Sequence, residues 1–220
     1  MNFLKKYRHG FVILFFSLAY LVVFHFLETR EITTLHIIHT RLDDMIPFNE
    51  YFIIPYLVWF PYQVISFLYF IFINKDKQEY YQLTKNICMG MTIFLVISFL
   101  FPNGLQLRPA VFARDTIFTQ MVAWLYATDT PTNVLPSIHV FNSLVIHFAL
   151  ARSALMKKHP GLVFGSLVLT ISIVLSTIFL KQHSVIDVIA GMAMAMAGYI
   201  VFYKVPETRQ TASVSPSHLE

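Results

Sequence analysis

The stretch FLKQHSVIDVIAG, Phe179 to Gly191, joins two strongly apolar runs, Gly161–Leu180 and Ser184–Tyr203. Each run is long enough to cross a bilayer as a helix, which takes about 20 apolar residues. Only a short polar turn separates them, so the pair reads as successive membrane spans. That turn carries a cation, an imidazole and a carboxylate: Lys181, His183 and Asp187. Ionisable groups at membrane depth are costly and mark candidate functional sites.

The rest of the chain agrees with a membrane reading. Its 220 residues are 56% hydrophobic and only 13% charged, with a mean hydropathy of +0.62. A soluble domain carries roughly 25% charged residues. Further apolar runs fall at Phe11–Leu27, Tyr51–Ile73, Ile87–Phe101 and Val134–Ala151. The expected fold class is all-α: a polytopic membrane protein built as one six-transmembrane-helix bundle over residues 1–204. The first run resembles a signal peptide, but no small-x-small cleavage site follows it, so it reads as an uncleaved anchor. Residues 205–220 lack the apolar content to fold and read as a disordered tail.

Basic residues orient the spans. With the N-terminus inside, eleven lie on inner segments: Lys5, Lys6, Arg8, Lys75, Lys77, Lys85, Arg152, Lys157, Lys158, Lys204 and Arg209. Five lie on outer segments: Arg30, Arg41, Arg108, Arg114 and Lys181. The expected location is the cell membrane, with both termini cytoplasmic. The net charge of +4 then reflects this flanking pattern, and no nucleic-acid partner is called for. His36–Ile46 and Thr116–Tyr126 mix apolar and polar residues and read as short interfacial helices. The single cysteine, Cys88, excludes an intrachain disulfide and a Cys-based zinc site.

In this topology three unusual stretches share the outer side: LQLRPAVFARD (Leu105–Asp115), NVLPSIHVFN (Asn133–Asn142) and KQHSVIDV (Lys181–Val188). His183 and Asp187 stand at i and i+4, which puts them on one face at the start of a helix. A carboxylate there fixes the imidazole tautomer and frees the other ring nitrogen. Lys181 adds positive charge, and the helix N-terminus favours an anion. The plainer alternative is a structural His–Asp pair with Lys181 snorkelling to headgroups. In PSIH, Pro136 suits a first helical turn, Ser137 can cap the helix or bind an oxyanion, and His139 aims at the same pocket. Arg108, before Pro109, offers a planar fork for phosphate. Arg114 is weaker because Asp115 neutralises it. Two histidines, a carboxylate and several cations on one face favour phosphoryl chemistry. His183 is then the nucleophile, Asp187 its orienter and Lys181 a phosphate clamp.

This order and spacing resembles the type 2 phosphatidic acid phosphatase (PAP2) superfamily, whose motifs run K-x6-R-P, P-S-G-H and S-R-x5-H-x3-D. The first survives as Arg108-Pro109, with Phe101 where the lysine stands. The second is Pro136 to His139, with Ile138 for glycine. The third runs from Ser176 to His183 and Asp187, with Thr177 for arginine. The glycine-free PSxH looks more like the branch holding inositol phosphorylceramide synthase and sphingomyelin synthase. The resemblance implies a phosphohistidine on His183, protonation of the leaving oxygen by His139, and phosphate held by Arg108, Lys181 and Ser137. It implies no metal or other cofactor, and a lipid phosphate or diphosphate substrate in the membrane.

Other chemistries fit less well. A Ser–His–Asp hydrolase lacks a G-x-S-x-G turn. An intramembrane zinc protease lacks H-E-x-x-H. His36 and His39 have no clear third metal ligand. His147, deep in the fourth run, reads as a packing or helix-bridging residue. A headgroup transferase shares the first half-reaction with a phosphatase, and a non-catalytic lipid-binding protein is the reading from another class. The small-residue run AGMAMAMAG (Ala190–Gly198) permits close helix packing within the bundle or in a homo-oligomer.

Overall fold

The apolar runs fold as helices, seen in a computed structural model that describes residues 3–204. The tail at 205–220, expected to lack order, lies outside the described residues. A short α1 (Phe3–Tyr7) leads into α2 (Gly10–Thr29). Then come α3 (Arg41–Met45), α4 (Ile53–Leu68, extended by a π-helical turn over Tyr69–Ile73), α5 (Lys77–Leu100) and α6 (Ile117–Thr128). The chain finishes with α7 (Ile138–Arg152), α8 (Pro160–Phe179) and α9 (Val185–Tyr199, running into a π-helical turn at Ile200–Lys204). Two short strands, β1 (His36–Ile37) and β2 (Asn103–Gly104), pair in parallel and tie the loop after α2 to the loop after α5.

Among the described residues, five helical segments are long and apolar enough to cross a membrane: Gly10–Thr29, Glu50–Ile73, Lys77–Leu100, Pro160–Phe179 and Val185–Lys204. They suggest a multi-pass membrane protein. The fourth apolar run forms α7, which has only 15 residues. It begins at Ile138 rather than Val134, because Val134 and Leu135 give their N–H groups to the Asn103 side chain, both at 2.9 Å. The third run is longer than its apolar part predicts. Asp76 caps α5 by accepting the Gln78 N–H at 2.8 Å, and Tyr80, Leu83 and Asn86 are buried in the added polar half. The two expected interfacial helices become α3 and α6. The first of them keeps only five helical residues, preceded by β1.

The short helix α7 is the hub. It packs against α4, α5, α8 and α9, with Phe141, Val145 and Ile146 fully buried. Gly90 on α5 lets that helix close on α7, since a Cβ there would meet the Phe141 ring at 2.0 Å. Several polar side chains in this core pair with one another, as groups removed from water tend to. Tyr62 and Ser166 share a hydrogen bond of 2.7 Å, His147 Nδ1 lies 3.0 Å from Ser166 Oγ, and Asn142 donates to Gln63 at 2.9 Å. His147 thus bridges α7 to α8. The small-residue run is used inside the bundle: Gly191, Ala195 and Gly198 are all buried. In contrast, α2 leans on α5 and leaves Phe15, Leu21, Val22 and Phe26 exposed, the surface a lipid-facing helix presents.

Candidate active site

The site is assembled where the α8–α9 turn meets the start of α7. The turn begins at the end of α8, where the Thr177 carbonyl accepts both the Gln182 and the His183 N–H, at 2.9 and 3.0 Å. Lys181 takes a left-handed backbone (φ 53°) to make that turn. Ser184 then caps α9. Its hydroxyl accepts the Ile186 N–H at 3.3 Å, and Asp187 reaches back to accept the Ser184 N–H at 2.8 Å. This is a capping box with Asp in place of Glu. His183 therefore lies just before the cap, not on the helix. Capping geometry, rather than a shared helical face, brings its Nδ1 to 3.5 Å from Asp187 Oδ2. Asp187 is fully buried and His183 nearly so.

On α7, Ser137 is the N-cap, with its hydroxyl 3.4 Å from the Val140 N–H, and His139 follows in the first turn. Pro136 precedes the cap instead of opening the helix. The Ser137 N–H donates to the Asp187 carbonyl at 3.0 Å, which locks the two helix starts together. Gly191 makes this approach feasible, because a Cβ there would lie 2.7 Å from the Ser137 carbonyl oxygen. As a result His183 Nε2 faces His139 Nδ1 at 3.3 Å. The His139 ring is held between Tyr56 and Trp59 of α4, with centroid distances of 4.6 and 4.0 Å. One nitrogen of His183 is thus turned to a carboxylate and the other to a second imidazole.

Arg108 comes in from the loop after β2. It donates to Gln182 Oε1 at 2.6 Å and to the Tyr126 carbonyl at 3.1 Å, and it lies 4.5 Å from the Tyr126 ring centroid. Its partner Gln182 directly precedes His183 in the chain. Asp129, just past α6, accepts the Tyr56 hydroxyl at 3.1 Å. Burial raises the Asp129 carboxyl above the usual range, while the Tyr56 hydrogen bond and the nearby His183 and Arg108 offset it. Burial also pulls Arg108 below its ordinary value, with Asp129, Tyr126 and Tyr56 acting in the opposite sense.

Lys181 and Ser137 take different places from those the sequence assigned them. The Lys181 ammonium donates to the backbone carbonyls of Asp43 and Ile46, so it is committed to α3 rather than held free as a phosphate clamp. Burial lowers its pKa, and the Asp43 and Asp44 carboxylates offset that. Ser137 is fully buried with its hydroxyl engaged as a helix cap, so it does not present an oxygen to a ligand. At the positions where the PAP2 pattern has further cations, Phe101 stacks on His36 at 4.3 Å and Thr177 bonds the Val174 carbonyl within its own helix. Arg114 is exposed, and Asp115 accepts from Gln120 instead of pairing with it. His39 lies against Asp44 at 2.9 Å, on the exposed side of α3.

Asp43 is the main residue that sequence reading did not single out. It is 2% exposed. Its carboxylate accepts the Ser184 hydroxyl at 2.7 Å, the Val185 N–H at 2.8 Å and the Thr40 N–H at 2.7 Å. The loop between α2 and α4 is thereby strapped across the turn that carries His183. Burial works against ionisation of Asp43, but the hydrogen bonds from Ser184, Val185 and Thr40 outweigh it and hold the carboxyl below the usual range. The local signal was present in the sequence, since Thr40-x-x-Asp43 is itself a capping pattern. The contact with Ser184 spans 141 residues and has no local signature.

No known family profile matches the chain, and no solved structure matches it. The chain is similar to an uncharacterized protein of Methanocaldococcus jannaschii. The two are 29% identical over 168 residues, which is 72% of this chain and 61% of the archaeal protein. The chain thus spans about three-fifths of that relative's length.

Proposed function

We propose that this protein is an integral membrane phosphatase of PAP2 type that hydrolyses a lipid phosphate or diphosphate through a phosphohistidine on His183. The observation that carries the reading is the alignment Asp187–His183–His139, at 3.5 and 3.3 Å. In the first half-reaction the lone pair of His183 Nε2 attacks phosphorus. The N–P bond forms, the P–O bond to the lipid breaks, and His139 gives its proton to the departing oxygen. Water then attacks phosphorus, His139 takes the water's proton, and the N–P bond breaks. The Asp187 carboxylate, 3.5 Å from Nδ1, favours a proton on that nitrogen and so the tautomer that leaves Nε2 free. Arg108 binds phosphate oxygens, and its partner Gln182 and the Tyr126 ring keep the guanidinium in place.

The same reading makes α7 a sixth span, about 22 Å long at 1.5 Å per residue and surrounded by the other helices. Both termini are then cytoplasmic and the histidine pair faces the outer side, following the distribution of basic residues. A second reading, transfer of the phospho-headgroup to a lipid alcohol, shares the first half-reaction. The commitment of Lys181 to α3 favours it, because it leaves the site poor in positive charge.

The test is phosphate release by the purified protein from a panel of lipid phosphates, with excess chelator, with and without a lipid alcohol. Chelator-resistant release that is lost in His183→Ala supports the phosphatase. A new phospholipid formed only with the alcohol moves the assignment to a transferase. Silence in both assays overturns the enzyme reading.

A further inference from the structure

The end of α7 away from the histidine pair carries an imidazole that has no part in the proposed reaction. His147 follows His139 by eight residues, about 12 Å along the helix at 1.5 Å per residue. Its Nδ1 lies 3.0 Å from Ser166 Oγ, and that hydroxyl lies 2.7 Å from the Tyr62 hydroxyl. The Thr170 hydroxyl gives its proton to the Ser143 carbonyl and stands farther from Tyr62, at 3.4 Å. A phenol is a better donor than an aliphatic alcohol, so Tyr62 donates to Ser166, and Ser166 donates to Nδ1. The proton of the neutral imidazole is then on Nε2, which has no hydrogen-bond partner among the described residues. The ring is oriented from behind and keeps one N–H to give.

His147 lines a cavity of about 380 Å³ between the end of α7 and the start of α8, together with Ala151, Lys157, Val163, Phe164 and Leu167. Sites for small molecules have this size and pair apolar walls with a few placed polar groups. The connection from α7 to α8, Ser153 to His159, holds Lys157 and Lys158 and no acidic residue. Glu79 touches this connection from α5, but its oxygens are taken by the Ala154 N–H and the Asn74 amide. A cation, a neutral N–H donor and apolar walls suit an amphiphile with an anionic head. Phe164, 66% exposed, also lines a groove of about 530 Å³ between α4 and α8. Val58 of α4 and Gly161, Gly165 and Val168 of α8 form part of its walls. No atom of the described residues lies within 4 Å of where a Cβ would stand on Gly161 or Gly165, so the two glycines leave room that the bundle itself does not fill. A groove of this kind fits an acyl chain and offers nothing to a water-soluble anion.

We propose that the cavity and the groove together bind one anionic phospholipid, apart from the histidine pair and independently of the reaction assigned to it. His147 Nε2–H donates to a phosphate oxygen, Lys157 supplies the opposite charge, and one acyl chain runs past Phe164 along the groove. On the orientation proposed above, this end of the bundle lies in the inner leaflet.

The test follows thermal unfolding of the full-length protein in neutral detergent against added ligand, and uses no catalytic readout. The probes are phosphatidylglycerol, phosphatidylcholine with the same acyl chains, and glycerol phosphate. A ligand that binds only the folded state raises Tm as its concentration passes Kd. Phosphatidylglycerol is expected to give the largest rise, and native mass spectrometry to find a single retained molecule. Gly165→Leu fills the groove without touching a charge, and leucine is the better helix former, so folding is kept. It is expected to hold the basal Tm at or above that of wild type and to abolish the rise with phosphatidylglycerol. Lys157→Gln, at an exposed position, is expected to weaken apparent affinity for phosphatidylglycerol about fivefold, the worth of one lysine beside an anionic lipid. His147→Phe is expected to weaken it about tenfold or more, as the loss of a hydrogen bond to a charged group does. Equal rises with phosphatidylglycerol and phosphatidylcholine overturn the anionic headgroup. A rise with glycerol phosphate that matches phosphatidylglycerol overturns the acyl-chain groove. No rise with either lipid, or Gly165→Leu and Lys157→Gln proteins that both respond as wild type does, overturns the site.

Discussion

Replacing Asp43 by alanine removes the acceptor on which the strap between α2 and α4 closes. The carboxylate takes two bonds across the interface to α9, from the Ser184 hydroxyl and the Val185 N–H, and others within the strap from Thr40. A hydrogen bond to a charged acceptor contributes about 1.5–3 kcal/mol, so the two crossing bonds set an upper bound of roughly 3–6 kcal/mol. Water entering the vacated space recovers part of this, and about 3 kcal/mol is the expected net loss. For a chain of this size, about 1 kcal/mol moves Tm by roughly 2–4 °C, which gives a fall of about 6–12 °C. The loss is local, so hydrogen exchange should accelerate at residues 40–46 and 181–187 well before it does along α7. Asp43→Asn keeps one acceptor oxygen and should lie between wild type and alanine. The assay is thermal unfolding in detergent together with exchange read by mass spectrometry. A Tm within about 1 °C of wild type and unchanged exchange at 181–187 would refute the idea that the strap secures the His183 turn.

Three further outcomes follow from the same geometry. Because the folded-state pKa of Asp43 is depressed, its contribution is fully present above the ordinary carboxylate range and is lost as pH falls through the folded value; Tm measured against pH should drop on the acid side in wild type, and less steeply in Asp43→Asn. On the proposed reading Arg108→Lys should cost about ten- to a hundredfold in kcat/KM, since a compact ammonium with three tetrahedral donors cannot span Gln182 and the Tyr126 carbonyl as the planar five-donor fork does and still bind phosphate bidentately; activity within threefold would count against Arg108 as the phosphate fork. Gly191→Ala should lower stability by about 1–3 kcal/mol through overpacking against the Ser137 carbonyl, read as a fall in Tm.

The sequence disclosed those parts of the site whose partners are close in the chain. His183 and Asp187 are four residues apart, and both the Ser184–Asp187 cap and the PSIH turn are local patterns. Apolar length located the helices that α2, α4, α8 and α9 became. It misjudged α5, whose mostly polar first ten residues turn Tyr80, Leu83, Thr84 and Asn86 into the bundle. Lys181 was misread for a related reason. Its proximity to His183 along the chain suggested a shared ligand, but its ammonium reaches carbonyls 138 and 135 residues away. Asp129, Tyr56 and Trp59 carry no motif. Their relation to the histidine pair is set by how α4 and α6 pack, and nothing in the local pattern of residues encodes that.

The composition of α7 has a consequence for how the molecule comes into being. On the six-span reading, a helix of 15 residues with Asn142, Ser143 and His147 on its buried faces is a poor match for lipid on its own. Its polar groups find partners on α4 and α8, and its N-terminal cap is joined to α9. Its partners Ser166 and Asp187 lie on the two helices after it, so on that reading α7 is expected to settle only when these have been made. On that reading the last three helices are expected to enter the bilayer together, and the His183–His139 pair exists only once all three have met.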